Sequence, residues 1–518
     1  MAPRKPTTTT RGHKGATSKR ARERDAGMLE GRSKRQKTSA TAERLIQTQA
    51  QAQAHTASAV PRVSHRSQTA AAGQRATQTL PVLSQRPTRS LIVYVFGANS
   101  GGELGLGPSV KSGNIGRPRV NPYLSESGVV QISLGAMHGV ALTQDNRILT
   151  WGVNDHGALG RDTAWEEKLV DADGDDSDSD DGGDLNPKES TPTPVDMGAL
   201  PPDTVFTQVA ATDNATFALT STGLVYGWGS FRSEDGKLSF TPTVEVQSRP
   251  ALIPSVKDVI KLCCGSNHVL ALTADGFVYT WGRGTDGQLG RRFSSRIVDW
   301  SKAGLVPHKV AELRDIVDIG SGSNHSFAIE RSGLVYGWGF NNAGQVGALD
   351  KAGDHESAHE HTIVISVPTL VKGLVGLPRT KQVTGGNFHT LAVTEDGRCL
   401  SWGRLYSCAT GLKVDTLPPQ SVVRDSRGPS FLGVPTTIPG LPAAFVAAAS
   451  EHSLAVTTDQ NVYTWGLNLT KQIAQKGEEI EVATQVTHAS VADLRLVWAG
   501  AGAQYSMLAE FAAPEYNG

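Results

Sequence analysis

The stretch Cys264-Gly-Ser-Asn-His268-Val-Leu-Ala-Leu-Thr-Ala-Asp-Gly276-Phe-Val-Tyr-Thr-Trp281-Gly-Arg-Gly-Thr-Asp-Gly287-Gln-Leu-Gly290 decides the fold. Its skeleton is glycine, two residues and histidine, then a tryptophan-glycine step thirteen residues after the histidine. The same skeleton runs from Gly135 and His138 to Trp151-Gly152, from Gly322 and His325 to Trp338-Gly339, and from Gly386 and His389 to Trp402-Gly403. It returns as His452 with Trp465-Gly466, and in a degenerate copy Ala215 replaces the histidine ahead of Trp228-Gly229. The interior offset is constant while successive copies start 53 to 77 residues apart. A constant interior with variable spacing marks one structural unit carrying loops of different length.

Two half-copies complete the count. Phe96-Gly97 opens the series with no glycine-histidine half before it, and Gly502-Ala503-Gln504-Tyr505 closes it with no aromatic-glycine step after it. Joined, they make a seventh unit built from both ends of the chain. The expected fold is all-β: a seven-bladed propeller over residues 89–515, with N- and C-terminal strands sharing a blade. Runs such as Leu91 to Phe96 and Asn461 to Trp465 are β-branched and aromatic, as strands require. Turns such as Thr273-Ala274-Asp275-Gly276 and Thr394-Glu395-Asp396-Gly397 carry the Asp-Gly pair of a tight hairpin. Radial sheets of this kind keep their edges short and pack on their neighbours.

The 518 residues hold 50 basic and 50 acidic side chains, and this balance hides an asymmetry. Residues 1–90 contain 18 Lys and Arg against 4 Asp and Glu, which leaves 32 basic and 46 acidic groups for the rest. A head of +14 on a body of −14 points to different partners for the two. Residues 1–88 are poor in bulky apolar side chains and are expected to be a disordered basic tail. Lys19-Arg20 and Lys34-Arg35-Gln36-Lys37 bracket thirteen residues in the manner of a bipartite nuclear import signal, read by a nuclear import receptor. Arg4, Lys5, Lys14 and these clusters are also placed to bind a DNA backbone. An acidic insertion at 171–186, with Ser177 and Ser179 as phosphorylation candidates, is expected to be a disordered surface loop. No apolar run approaches the roughly 18 to 20 residues of a membrane span, and no signal-peptide core is seen at the amino terminus. Cys263, Cys264, Cys399 and Cys408 fit neither a disulfide framework nor a zinc spacing.

Chemistry-bearing motifs are few. Gly282-Arg283-Gly284-Thr285-Asp286-Gly287 matches a dinucleotide-binding glycine pattern, but no helix start follows it, so it is a repeat turn. The five repeat histidines fall one per blade, which favours a shared structural role over a metal site. An imidazole donating to a backbone carbonyl would serve that role, and the tryptophans would pack between blades. No cofactor and no covalent chemistry are expected.

The repeat resembles that of the regulator of chromosome condensation family, over residues 91–510. Three further stretches strengthen the likeness: Gly229 to Gly236, Asn154 to Thr163, and the basic tail. The resemblance implies guanine nucleotide exchange on the small GTPase Ran at chromatin, without covalent catalysis, in a nuclear protein; a closed ring has no free sheet edge demanding a partner, so a monomeric propeller is expected. It implies that the stretch from Phe231 to Leu238 is a β-wedge directed at the phosphate-binding loop, with Phe231, Arg232, Ser233, Glu234, Asp235 and Gly236 as its exchange residues. It implies GTPase contacts at Asp213, Asn267, Arg291, Phe388 and Tyr505, of which Asn267, Phe388 and Tyr505 depart from the family residue. Asp213 has no evident structural duty in a blade that lacks its histidine. The resemblance also implies nucleosome binding, with Arg292 and Arg296 beside Arg291 meeting the acidic face of the histone dimer. The rival expectation is a non-exchanging scaffold that binds chromatin or histones.

Overall fold

The computed structural model describes residues 81–166, 184–233, 235–293, 300–348 and 364–513. The import signal and other tail cations, Ser177, Ser179, Glu234 and Arg296 lie outside these residues.

The fixed offset of the repeat is the register of a hairpin. His138 pairs with Gly152, His268 with Gly282, His325 with Gly339, His389 with Gly403 and His452 with Gly466. Ala215 takes the same place opposite Gly229, and Tyr505 takes it opposite Gly97. Two residues of the motif must be glycine on steric grounds. Gly282 has φ +113°, and a Cβ there would stand 2.5 Å from the Asn267 carbonyl oxygen. A Cβ on Gly265 would stand 2.1 Å from Cε1 of His268.

Each hairpin gains an inner strand before it and an outer strand after it. The first sheet runs Val129–Leu134, His138–Thr143, Ile148–Gly152 and Thr193–Pro194, all antiparallel. Four-stranded sheets follow over 206–252, 259–309 and 316–370. The fifth and sixth are joined by one 21-residue strand, Gly428–Ala448, whose early part pairs with Arg398–Arg404 and whose end pairs with His452–Thr457. In the seventh, Leu91–Ala98 pairs residue by residue with Tyr505–Phe511. The inner strands touch in chain order, and the inner strand of the seventh sheet touches that of the first. One central cavity of about 320 Å³ is lined by segments of all seven, among them Gly135, Asp213, Gly265, Gly322, Asn387, Ser450 and Gly502. We infer from these contacts a closed ring of seven blades.

The core lies between blades. Trp151, Trp228, Trp281, Trp338, Trp402 and Trp465 are buried, and the apolar clusters mix side chains of adjacent sheets. Polar locks hold the seams. Nε2 of His268 meets Oγ of Ser326 on the next blade at 2.8 Å. That hydroxyl donates to the Gln288 carbonyl, which also accepts the indole N–H of Trp338 at 2.9 Å. The arrangement repeats for His325 with Thr390 and Trp402, and for His389 with Ser453 and Trp465. His138 with Thr216 and His452 with Ser506 belong to the same set. The seams thus run through a hydroxyl relay, and the expected bond from imidazole to backbone is kept beside it at His138, with Asp213.

The relay assigns the proton. At His268, His325 and His452, because the hydroxyl hydrogen is committed to a carbonyl, Nε2 must carry hydrogen and Nδ1 must be bare. Nδ1 of His268, His325 and His452 is buried without a partner, so a second proton has no acceptor there. Burial accordingly lowers His138 and His389 to about 4, and His268, His325 and His452 to about 3.

Two seams differ. Ala215 removes one histidine, and the facing hydroxyl position on the next blade is Val269. At the ring closure Tyr505 replaces histidine and Gly139 stands where the hydroxyl would be. Tyr505 donates instead to the His138 and Gly135 carbonyls at 2.8 and 3.2 Å. A smaller boundary is also corrected. Leu83 N–H donates to Ser221, Arg86 reaches Asn146, and Arg89 covers the Phe511 ring, so the chain joins the propeller before residue 89. Likewise Leu185 is buried and Asn186 caps Pro187–Ser190, which ends the acidic insertion before 186.

Two outcomes are expected. Above pH 6.5 the histidines are neutral in both folded and unfolded chains. Below it the unfolded chain takes up protons that the ring refuses, so stability falls with pH by about 1.4 kcal/mol per unit for each histidine, down to pH 3–4. Urea midpoints measured from pH 7 to 5 should fall steeply, and less steeply in His268→Gln. Tyr505→Phe should cost about 1–3 kcal/mol at pH 7 in the same assay, by removing the buried hydroxyl that ties the closure to the His138 and Gly135 carbonyls.

Candidate functional site

Gly229 is followed by a departure from the repeat. Phe231–Arg232 and Leu238–Ser239 form a two-stranded hairpin outside the second sheet. Its turn closes through Ser233 N–H to the Lys237 carbonyl at 2.9 Å and Gly236 N–H to the Ser233 carbonyl at 3.1 Å. Asp235 accepts from Ser233 Oγ and pairs with Lys237, and these contacts lower its carboxyl to about 2. At Gly236, φ is +77° and no atom lies near the position of a Cβ, so the tip is surrounded by solvent.

The root is apolar. Phe231, Phe217 and Phe240 stack with centroids 6.1–6.2 Å apart, and Trp281 of the third blade meets Phe217 edge-on at 5.7 Å. Phe231 is 2 % exposed. The expectation that Phe231 presents itself at a tip is therefore corrected: its ring anchors the hairpin. Arg232 is the exposed member of that strand, and its guanidinium lies 3.0 Å from Nε2 of His156 in the first blade's loop. Its backbone N–H donates to Oδ1 of Asn267 at 2.7 Å.

The hairpin rises from the strand ends that carry the histidines, beside the loops lining the central cavity. Asp213 lies in one of those loops. Its N–H donates to the Ser266 carbonyl, and Ser266 also hydrogen-bonds its carboxylate. Asp213 thus ties the second blade to the third, a structural duty not evident from sequence. Burial raises its carboxyl to about 6 despite that bond.

The other expected residues separate. Phe388 is half-buried beneath the Arg404 guanidinium, 3.4 Å from its ring centroid. Tyr505 is 1 % exposed and acts as the seam residue of the ring closure, so its side chain is not presented to a partner. Arg291 turns inward: its guanidinium donates to the Thr280, Gly304 and Val306 carbonyls at 3.2–3.4 Å, and burial lowers it to about 10. Arg161 does the same for the Thr150 carbonyl, so the arginine after Leu159-Gly160 and the one after Leu289-Gly290 share a bracing role. Arg292 is exposed beside it. Sequence reasoning missed His156 and Phe240. His156 lies in a turn that keeps the repeat's Gly-x-Leu-Gly pattern, and only Phe240 follows the stretch where the repeat breaks.

Residues 83–89 run along the opposite side of the ring, near the turns at Asn146 and Ser221. Among the described residues no helix is long and apolar enough to cross a membrane.

A family profile described as RCC1-like domain matches residues 92–508. The chain belongs to the RCC1-like domain family. Relatives cover most of its length. Protein pim1 of Schizosaccharomyces pombe is 40% identical over 433 residues, 82% of this chain and 76% of that protein. Guanine nucleotide exchange factor SRM1 of Saccharomyces cerevisiae is 34% identical, over 80% of this chain and 86% of its own. The crystal structure of Prp20p from Saccharomyces cerevisiae, described with its binding properties to Gsp1p and histones, superposes with a TM-score of 0.72. It is 31% identical and covers 82% of this chain and 93% of that one. Yeast RCC1 (Prp20) bound to Kap60 gives 0.73 at 30% identity, over 88% and 97%. The propeller of the family is the fold of this chain.

One consequence concerns Asp213. Its carboxyl is neutral below about pH 6 and charged above. If it meets a basic partner surface, partner affinity should rise between pH 5.5 and 7, and Asp213→Asn should flatten that rise. Titration calorimetry over this range, with stability followed in parallel, checks the outcome.

Proposed function

We propose that this protein is a guanine nucleotide exchange factor for the small GTPase Ran, acting at chromatin in the nucleus. The observation that carries this reading is the hairpin of Phe231–Arg232 and Leu238–Ser239: an apolar root, ties to both neighbouring blades and a polar tip in solvent. A relative bears the name guanine nucleotide exchange factor, and another is described by its binding to Gsp1p and histones.

Exchange needs no bond making. A GDP-bound GTPase holds phosphate and a metal ion through one loop, and a protein group that competes for this loop weakens nucleotide without altering it. The Arg232 to Lys237 tip supplies such a group, with Asp235 ionised and Arg232 offering a guanidinium. Because the root is rigid, little ordering cost is incurred on docking, so contact free energy is available to displace nucleotide. Release and rebinding are accelerated equally, and the nucleotide pool sets which nucleotide enters. Asp213 contributes negative charge at the cavity mouth, which favours encounter with a basic GTPase surface.

The chain before residue 81 is proposed to serve the other partners. Its cations would release counterions from DNA, and Arg292 would support contact with the acidic face of the histone dimer. Lys19-Arg20 and Lys34-Arg35-Gln36-Lys37 would be read by an import receptor, as the yeast relative's binding to Kap60 supports. With residues 83–89 on the side of the ring away from the hairpin, chromatin and GTPase can be held together.

Full-length protein should accelerate release of fluorescent GDP from Ran. Replacing residues 232–237 by Gly-Gly should cut kcat/KM by about tenfold or more, equivalent to at least 1.4 kcal/mol of transition-state stabilisation, with the melting temperature little changed. No acceleration by the unaltered protein at micromolar concentration overturns the proposal. Removing residues 1–80 should abolish salt-sensitive DNA binding and leave GDP release intact.

A further inference from the structure

The seam between the second and third blades is the one where Ala215 and Val269 replace the histidine and hydroxyl of the relay. The exchange hairpin rises at this seam, and Asn267 stands beside its root. Asn267 belongs to the third blade. Its carbonyl accepts the Arg283 N–H at 2.7 Å and lies where any side chain on Gly282 would collide, which fixes its backbone. Its side chain, 8 % exposed, reaches across the seam, and Oδ1 accepts the Arg232 N–H at 2.7 Å. Arg232 is the last strand residue before the turn, and its own side chain reaches His156 on the first blade's side.

We propose that Asn267 is a positioning residue for the hairpin and not a residue that contacts the GTPase. Its buried carboxamide sets the angle at which the Arg232 to Lys237 tip leaves the ring. A side chain lacking an acceptor strands a peptide N–H at the hairpin base and frees the tip to swing about the Phe231–Phe217–Phe240 stack. This inference rests on the exchange reading for its kinetic consequence, while its structural consequence stands apart.

The experiment compares unaltered full-length protein with Asn267→Leu, which removes the acceptor on a side chain of the same branching, and Asn267→Asp, which keeps it. Amide hydrogen exchange of the peptide spanning residues 229–240 should show lost protection at Arg232 in Asn267→Leu and recovery in Asn267→Asp. Steady-state release of fluorescent GDP from Ran should show kcat reduced about tenfold in Asn267→Leu with KM within about twofold, and kcat largely restored in Asn267→Asp. Unchanged Arg232 protection in Asn267→Leu overturns the inference, whether or not the unaltered protein exchanges nucleotide. A rise in KM at constant kcat also overturns it, because that pattern belongs to a contact residue. Protection lost and recovered in a protein without exchange activity supports the positioning role and rejects the exchange reading alone.

Discussion

The structure depends on a neutral imidazole placed between two sheets. Each blade alone is a small sheet with two apolar faces and cannot stand in water by itself. The His–hydroxyl–carbonyl relay, with an indole at most seams, couples neighbouring blades through buried groups that are satisfied apart from Nδ1 of His268, His325 and His452. In a low-dielectric seam such a network is stable only when its members are satisfied, and a charge introduced there is costly. Five seams use the histidine and hydroxyl, and four of these add the indole, since the seventh blade carries Phe96 in its place.

The two exceptions explain where the molecule can do something different. At the closure, a tyrosine hydroxyl reaches over Gly139 to the backbone of the first blade, so the chain ends are stitched by side-chain bonds as well as by strand pairing. At the second seam the histidine and its hydroxyl are both absent, and aromatic packing of Phe217 with Trp281 fills the space. That substitution makes room for a hairpin whose Phe231 and Phe240 join the same stack. The projecting hairpin thus grows from a local failure of the repeat, and its base is packed between the neighbouring seams.

Much of the fold was legible because a hairpin has a sequence signature of constant length. The thirteen-residue offset is the strand register itself, and the split unit at Phe96 and Tyr505 obeys it across more than 400 residues of chain. The site was less legible. Residue types at surface loops are compatible with contact or with bracing, and only coordinates separate them. Arg291 and Tyr505 are bracing groups, Phe231 is an anchor, and Asp213 bridges two loops while facing the cavity. His156 carried no signal of its own, since its meeting with Arg232 joins residues 76 apart.

The sequence by itself determined the repeat, its hairpin register, the pairing of the two chain ends and the division between a basic tail and an acidic body. These are properties of spacing and composition, which act along the chain. Tertiary structure decided which hydroxyl receives each imidazole, which arginines turn inward and how the hairpin is held. Those outcomes are set where two blades meet, between residues that no local pattern relates, and they exist only once the seam has closed.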